Sequence, residues 1–179
     1  MVDDHQRFTE MYDACRQRVW AYVVSRAGRQ VADEVVSEVF AIAWRRFADV
    51  PLAAGPVSAL PWLIGVARNV LRDTIRAEVR RESMRNELRA WAEGDHAEVV
   101  AEKLAVIRAL ATLPEDDREL LILVAWQGLG PRDAAKVVGC SQAAFRVRLH
   151  RARKRLAQAV SAGADASGTP LPASVRIAS

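Results

Sequence analysis

The chain has 179 residues, 51% of them hydrophobic, and its 26 Lys and Arg against 22 Asp and Glu give a formal net charge of +4. That hydrophobic share excludes a wholly disordered chain, and the length suits one mid-sized domain or two small ones. The cationic excess is too small to name a nucleic-acid partner by its sum, so the placement of the cations carries the information.

Apolar residues recur at helical spacing over residues 8–27, through Phe8, Met11, Tyr12, Cys15, Val19, Tyr22 and Val23, and Gly28 predicts a left-handed stop. A second helix is predicted over 31–47, with Val31, Val35, Val39, Ile42 and Ala43 as its buried stripe and Pro51 beyond its end. The Pro- and Gly-containing stretch 51–58 reads as a loop, with Ser58 as the N-cap of a long helix over 59–88. The apolar stripe fades between 83 and 96, which predicts a linker at 86–96 between an N-terminal unit, 6–85, and a C-terminal unit, 97–161. In the second unit, helices are expected at 96–112, 114–127, 131–138 and 141–161. The Ala-, Ser-, Gly- and Pro-rich residues 162–179 have little to bury and are expected to be a disordered tail. No stretch alternates convincingly as a strand. The predicted fold class is all-α, as two small helical domains joined by a flexible linker.

Residues 129–156 carry the most specific pattern. A helix of eight residues meets Gly139, turns through Cys140, and restarts at Ser141, which is suited to cap the second helix. This is the helix-turn-helix arrangement, whose second helix enters the major groove. Phe145, Leu149, Ala152 and Leu156 form one seam on that helix, and no acidic residue occurs over 141–157. Gln142, Ala143, Arg146 and Val147 would face base edges, while Arg148, Arg151, Arg153 and Lys154 would meet phosphates, with His150 on the same exposed side. Ala134 beside Phe145 would pair a small with a large side chain at conserved core volume.

The first unit offers two further surfaces. Asp33, Glu34 and Glu38 alternate with Phe40, Trp44 and Arg45, a composition that fits docking on a basic partner helix. The same residues also read as solvated charges over core aromatics. In the long helix, Arg68, Asn69, Arg72, Asp73, Arg76, Arg80 and Arg81 lie opposite the apolar stripe, with Trp62 near its start. That combination suits a strand with unstacked bases, aromatics stacking on bases and arginines following phosphates. It reads equally as a helix surface laced with pairs such as Asp73 with Arg76.

Other chemistries find little support. Cys15 and Cys140 are far apart, form no disulfide framework or zinc spacing, and read as small buried side chains in a reducing cytoplasm. His5, His96 and His150 are scattered and no Gly-rich phosphate loop occurs, so neither an enzyme nor a cofactor or metal site is expected. The N-terminus has no apolar signal core. The longest apolar run, 120–126, is far below the ~20 residues that span a bilayer, so a cytoplasmic protein without membrane insertion is expected.

Four ordered segments together resemble the extracytoplasmic-function (ECF, group IV) sigma factors of bacterial RNA polymerase. They are Val31-Ala-Asp-Glu-Val-Val-Ser-Glu-Val-Phe-Ala-Ile-Ala-Trp-Arg-Arg46, Pro61-Trp-Leu-Ile-Gly-Val-Ala-Arg-Asn69, Ala111-Thr-Leu-Pro-Glu-Asp-Asp-Arg-Glu-Leu-Leu121, and Gly139-Cys-Ser141 continuing to Leu149-His-Arg-Ala-Arg153. The resemblance covers about residues 6–160. It implies a region 2-like first domain and a region 4-like second domain. Asp33, Glu34, Glu38, Phe40, Trp44 and Arg45 would then bind the clamp coiled coil of the largest polymerase subunit. The loop 49–58 and the helix bearing Trp62, Arg68, Asn69, Arg72, Asp73, Arg76 and Arg80 would open and read the −10 element. Ser141, Gln142, Ala143, Arg146, Val147, Arg148, His150, Arg151 and Lys154 would read the −35 element. Promoter DNA, polymerase core and an anti-sigma factor are the implied partners. Gly130, Pro131 and Ala144 depart from the family's usual Ser, aromatic and Thr, and the loop before Pro61 lacks aromatics. The rival reading is a dimeric helix-turn-helix repressor or activator, with the first unit serving dimerisation or ligand sensing.

Overall fold

In a computed structural model the described residues are 2–74 and 100–167. They form seven α-helices with short 3-10 turns and, among the described residues, no strand. Helices α1 (Val2–Ala27), α2 (Ala32–Arg45) and α3 (Leu60–Thr74) pack as one bundle. Helices α4 (Val100–Thr112), α5 (Glu115–Ala125), α6 (Pro131–Val138) and α7 (Gln142–Ser167) make the second. The expected linker at 86–96 lies outside the described residues.

The first bundle follows its apolar stripes. Met11, Cys15, Val19, Tyr22 and Val23 of α1 are buried against Val35, Val36, Val39 and Ala43 of α2 and Leu60, Leu63, Ile64 and Ala67 of α3. Each larger side chain withdrawn from water in this way contributes about 1.5–3 kcal/mol. Asp33 and Glu34 in the first turn of α2 and Arg45 in its last complement the helix dipole. The helix is shorter than its predicted 31–47 span, because the chain tightens into 3-10 turns at Arg29–Val31 and Phe47–Asp49 on either side. Gly28 does stop α1, but at φ 82° and ψ 171° rather than in the left-handed helical well; that region is open to glycine and closed to other residues.

Ser58 does not cap α3. It sits inside a 3-10 turn, Pro56–Ala59, and its hydroxyl lies 2.5 and 2.6 Å from the carbonyl oxygens of Pro51 and Gly55. The hydroxyl therefore closes the 51–58 loop on itself instead of serving the helix N-terminus. Cys15 packs behind this loop, with its sulfur 3.5 Å from the Pro56 carbonyl.

In the second bundle, Pro114 precedes a first turn made of Glu115, Asp116 and Asp117, with the acids at the positive end of the α5 dipole. α7 runs to Ser167, past the predicted end at 161, so the first residues of the expected tail continue the helix. The two bundles are in contact: α3 lies against α6 and α1 meets α5. Their buried residues form one connected cluster that includes Leu110, Leu120, Leu123, Phe145 and Leu149.

Candidate nucleic-acid and polymerase interfaces

The helix-turn-helix is built by three local devices. Gly130 and Pro131 start α6, proline standing at the first turn where its missing N–H is not needed. Gly139 ends α6 in the left-handed conformation (φ 73°, ψ 40°), and the N–H groups of Gly139 and Cys140 donate to the carbonyls of Lys136 and Ala135 at 3.2 and 3.0 Å. Ser141 Oγ then accepts from the Ala144 N–H at 3.1 Å and caps α7. Phe145 and Ala152 are fully buried, Leu149 nearly so, and Leu156 packs at the edge of the core. Ala134 is also fully buried, in the same core as Phe145.

This seating leaves Gln142, Ala143, Arg146, Val147, His150, Arg151, Arg153 and Lys154 exposed. Val147 is 52% exposed, and a branched apolar side chain in water among cations suits contact with a thymine methyl. Arg148 turns away from that face. It is partly buried and pairs with Asp116 of α5 at 3.6 Å, so its expected place among the phosphate-facing cations is corrected to one on the α5 side. Arg155, on the same side, pairs with Asp117.

On α2, Asp33, Glu34, Glu38, Trp44 and Arg45 are exposed. The Trp20 indole N–H donates to Asp33 at 3.1 Å, and Arg45 pairs with Glu38 at 3.0 Å. Trp44 is 48% exposed and edges onto Phe8, with ring centroids 5.0 Å apart. Phe40 is a correction. It is buried against Tyr12 and Phe8 because it follows Val36 by one helical turn and shares that inward stripe, so it lies beneath the candidate docking face rather than on it.

On α3, Trp62 is partly buried beneath the Arg46 guanidinium, 5.8 Å from its ring centre. Asn69 and Arg72 are exposed. Asp73 lies near the end of α3, and Arg76 and Arg80 lie outside the described residues. Trp62, Arg68, Asn69 and Arg72 line a cleft of about 970 Å³ between the bundles, across from Gly128, Asp133 and Lys136. Arg68 is held in an ion cluster. Its Nε donates to Glu119 Oε1 at 3.0 Å, Tyr22 donates to the same oxygen at 2.7 Å, and Arg26 lies 3.8 Å from the second carboxylate oxygen. Burial, reinforced by the Glu119 carboxylate, drives the Tyr22 phenol well above its usual pKa. Burial disfavours the charged Arg68, but the charge and hydrogen bond of Glu119 outweigh it and raise its pKa. Burial likewise raises the Cys15 thiol, against the opposing charge of Arg18.

Sequence reading missed this cluster and the role of Arg118. The Arg118 guanidinium donates to the carbonyls of Leu110, Ala111 and Leu113 at 2.8, 3.2 and 2.7 Å, closing the C-terminal end of α4. The only available signal was a run of charges, Glu115 to Glu119, leading into a buried apolar run. Nothing in it named partners.

Comparison with known proteins bears on both bundles. Residues 11–81 match the Sigma-70 region 2 family and residues 103–156 match Sigma-70, region 4. The chain is 34% identical over 146 residues to the ECF RNA polymerase sigma factor SigC of Mycobacterium tuberculosis, across 80% of this chain and 77% of that one. The chain belongs to the ECF RNA polymerase sigma factors. A probable RNA polymerase sigma factor, RfaY of Xanthomonas campestris, is 32% identical over 160 residues, but the match spans 39% of that longer protein. The fold resembles the sigma factor RpoE of Bartonella quintana, solved with the anti-sigma factor NepR, at a TM-score of 0.62 and 21% identity over 86% of this chain and 96% of that one. In the sigma-factor frame α1–α3 are region 2 and α4–α7 are region 4, in the order the motifs predicted. A region 2 in the first half does not favour the rival reading of a dimerisation or ligand-sensing unit. Among the described residues no helix is long and apolar enough to cross a membrane.

Proposed function

We propose that this sigma factor directs promoter-specific transcription initiation without catalysing a reaction itself. Region 2, within residues 6–85, docks on the clamp coiled coil of the largest polymerase subunit through Asp33, Glu34, Glu38, Trp44 and Arg45. The loop before α3 and the α3 residues Trp62, Asn69 and Arg72, with Arg68, Asp73, Arg76 and Arg80, engage the opened −10 strand. Region 4, within 97–161, reads the −35 element. The observation that carries this reading is the exposed face of α7 over residues 142–157, which holds no acidic residue and is anchored by the Ser141 cap and the buried Phe145 seam. Such a face offers Gln142, Ala143, Arg146 and Val147 to base edges and Arg151 and Lys154 to phosphates.

The working place of such a protein is the cytoplasm, where polymerase and chromosome are. An anti-sigma factor is the expected regulator, since the solved relative from Bartonella quintana is held by one. The test is transcription by purified sigma-free bacterial core polymerase, with and without this protein, on fragments of its source genome. New discrete start sites sharing two upstream elements are expected. No core binding and no new starts, beside an active control sigma factor, would overturn the proposal.

A further inference from the structure

Helices α1 and α2 run antiparallel along a seam of matched residues. Phe8, Tyr12 and Trp20 lie along one row of α1 at multiples of four residues, and Asp33, Phe40 and Trp44 share one side of α2. In the middle of the seam Tyr12 meets the buried Phe40, with ring centroids 4.7 Å apart. At one end the Trp20 indole N–H donates to Asp33 Oδ1 at 3.1 Å, and at the other Phe8 edges onto Trp44 at 5.0 Å. Only at these two ends does the α2 side come to the surface, since Asp33 and Trp44 are exposed and Phe40 is not. At 1.5 Å per residue, Asp33 and Trp44 stand about 16 Å apart along α2.

We infer that Trp20 and Phe8 of α1 are positioning residues for polymerase docking, each fixing one end of the α2 face. The inference rests on the reading of Asp33 and Trp44 as polymerase contacts. Both α1 rings are partly buried and packed on the core. The Arg29 guanidinium also lies 5.8 Å from the Trp20 ring centre, and Phe8 meets Phe47 at 5.9 Å. The two α1 rings are therefore held, whereas Asp33 and Trp44 have water on their outer side. An exposed side chain gives up rotamer freedom when a partner docks on it, and one already held gives up less. The single indole N–H takes one of the roughly four acceptor positions of a carboxylate, so Asp33 can still receive a Lys or Arg of a basic partner helix. Two contact points held at a set spacing also fix the register in which such a helix can lie.

The test is the affinity of the full chain for purified sigma-free bacterial core polymerase, read by competition with a fluorescently labelled parent in crossed double-mutant cycles. Trp20→Phe keeps a ring on the core and removes the donor. Phe8→Leu keeps apolar bulk and removes the edge contact. Each should weaken core binding about two- to tenfold, the range of one hydrogen bond or one aromatic pair. In the Asp33→Ala background Trp20→Phe should change binding by less than about twofold, and so should Phe8→Leu in the Trp44→Ala background. Across the pairs each α1 change should keep its full effect. Equal weakening in every background, or no weakening by either α1 change, overturns the inference and makes α1 a general scaffold. Core binding left intact by both Asp33→Ala and Trp44→Ala would instead remove the docking reading, and the positioning role with it. Helical content and urea midpoint are read for every variant. Trp20→Phe, at the rim of the seam, decides the matter by itself if Phe8→Leu loosens the bundle.

Discussion

The Tyr22 hydroxyl donates a 2.7 Å hydrogen bond to Glu119, joining helix α1 to helix α5 across 97 positions of sequence. The phenol is buried, and both burial and the adjacent carboxylate oppose its ionisation. In the folded protein it keeps its proton at pH values where the unfolded chain, near an ordinary pKa of about 10, has lost it. Its stabilisation is complete below about pH 10 and is lost progressively as pH rises above that. Cys15, also raised by burial, adds to the same alkaline loss from a slightly lower pH. Tyr22→Phe should therefore flatten the fall in urea midpoint between pH 9 and 11. An unchanged slope would place the alkaline sensitivity elsewhere.

Arg118 is the expected weak point of region 4. Its guanidinium supplies donors to three carbonyls at the end of α4, two of those bonds being fully buried. Arg118→Met keeps much of the apolar stem but leaves carbonyls without donors, at about 1–3 kcal/mol each where burial persists. Urea unfolding should show a loss of at least about 2 kcal/mol. Arg118→Lys should recover only part of it, because an ammonium lacks the planar fork that spans three acceptors.

Phe145 and Ala134 test the packing of the helix-turn-helix. Phe145→Ala empties the largest side chain of the α7 seam and should cost about 3–5 kcal/mol. Ala134→Val alone should overpack the fully buried Ala134 site by about 1–3 kcal/mol. The double variant Phe145→Leu with Ala134→Val should lie closer to the parent than the two single changes add up to, since total volume is nearly kept. Thermal unfolding of all four proteins reads this directly; strict additivity would show that the two sites do not share space.

Arg146 and Arg148 are neighbours in sequence with opposite fates. Arg146 is exposed on the face proposed to read the −35 element, whereas Arg148 faces Asp116. Arg146→Ala should lose about 1–3 kcal/mol of discrimination among −35 sequences if it meets a guanine. Arg148→Ala should leave discrimination intact and change stability by no more than about 1 kcal/mol, as expected of a half-exposed pair. Competition binding to duplexes that differ at single −35 positions separates the two. Equal loss on every sequence would make Arg146 a phosphate contact.

The helices, the turn at Gly139 and the Ser141 cap were legible in the sequence because each depends on residues within one or two turns of chain. Apolar spacing marks the buried face, glycine marks the left-handed position, and a hydroxyl marks the N-cap. The failures had equally local causes. Ser58 had two carbonyls nearer than the helix N-terminus, and Phe40 fell on the inward side of α2 through a spacing that also fitted a mixed face. Family membership was also legible, since it rests on the order of four segments.

What the tertiary structure alone decided is who meets whom. Arg148 met Asp116 instead of a phosphate-facing solvent, and Arg118 met the end of α4. Glu119 was drawn out of water by Tyr22, Arg26 and Arg68. A charged side chain looks the same in sequence whether it will be solvated or buried. Its energy depends on which opposite charges and hydrogen-bond donors the fold brings within about 4 Å, and for Glu119 Arg68 and Tyr22 come from 51 and 97 positions away.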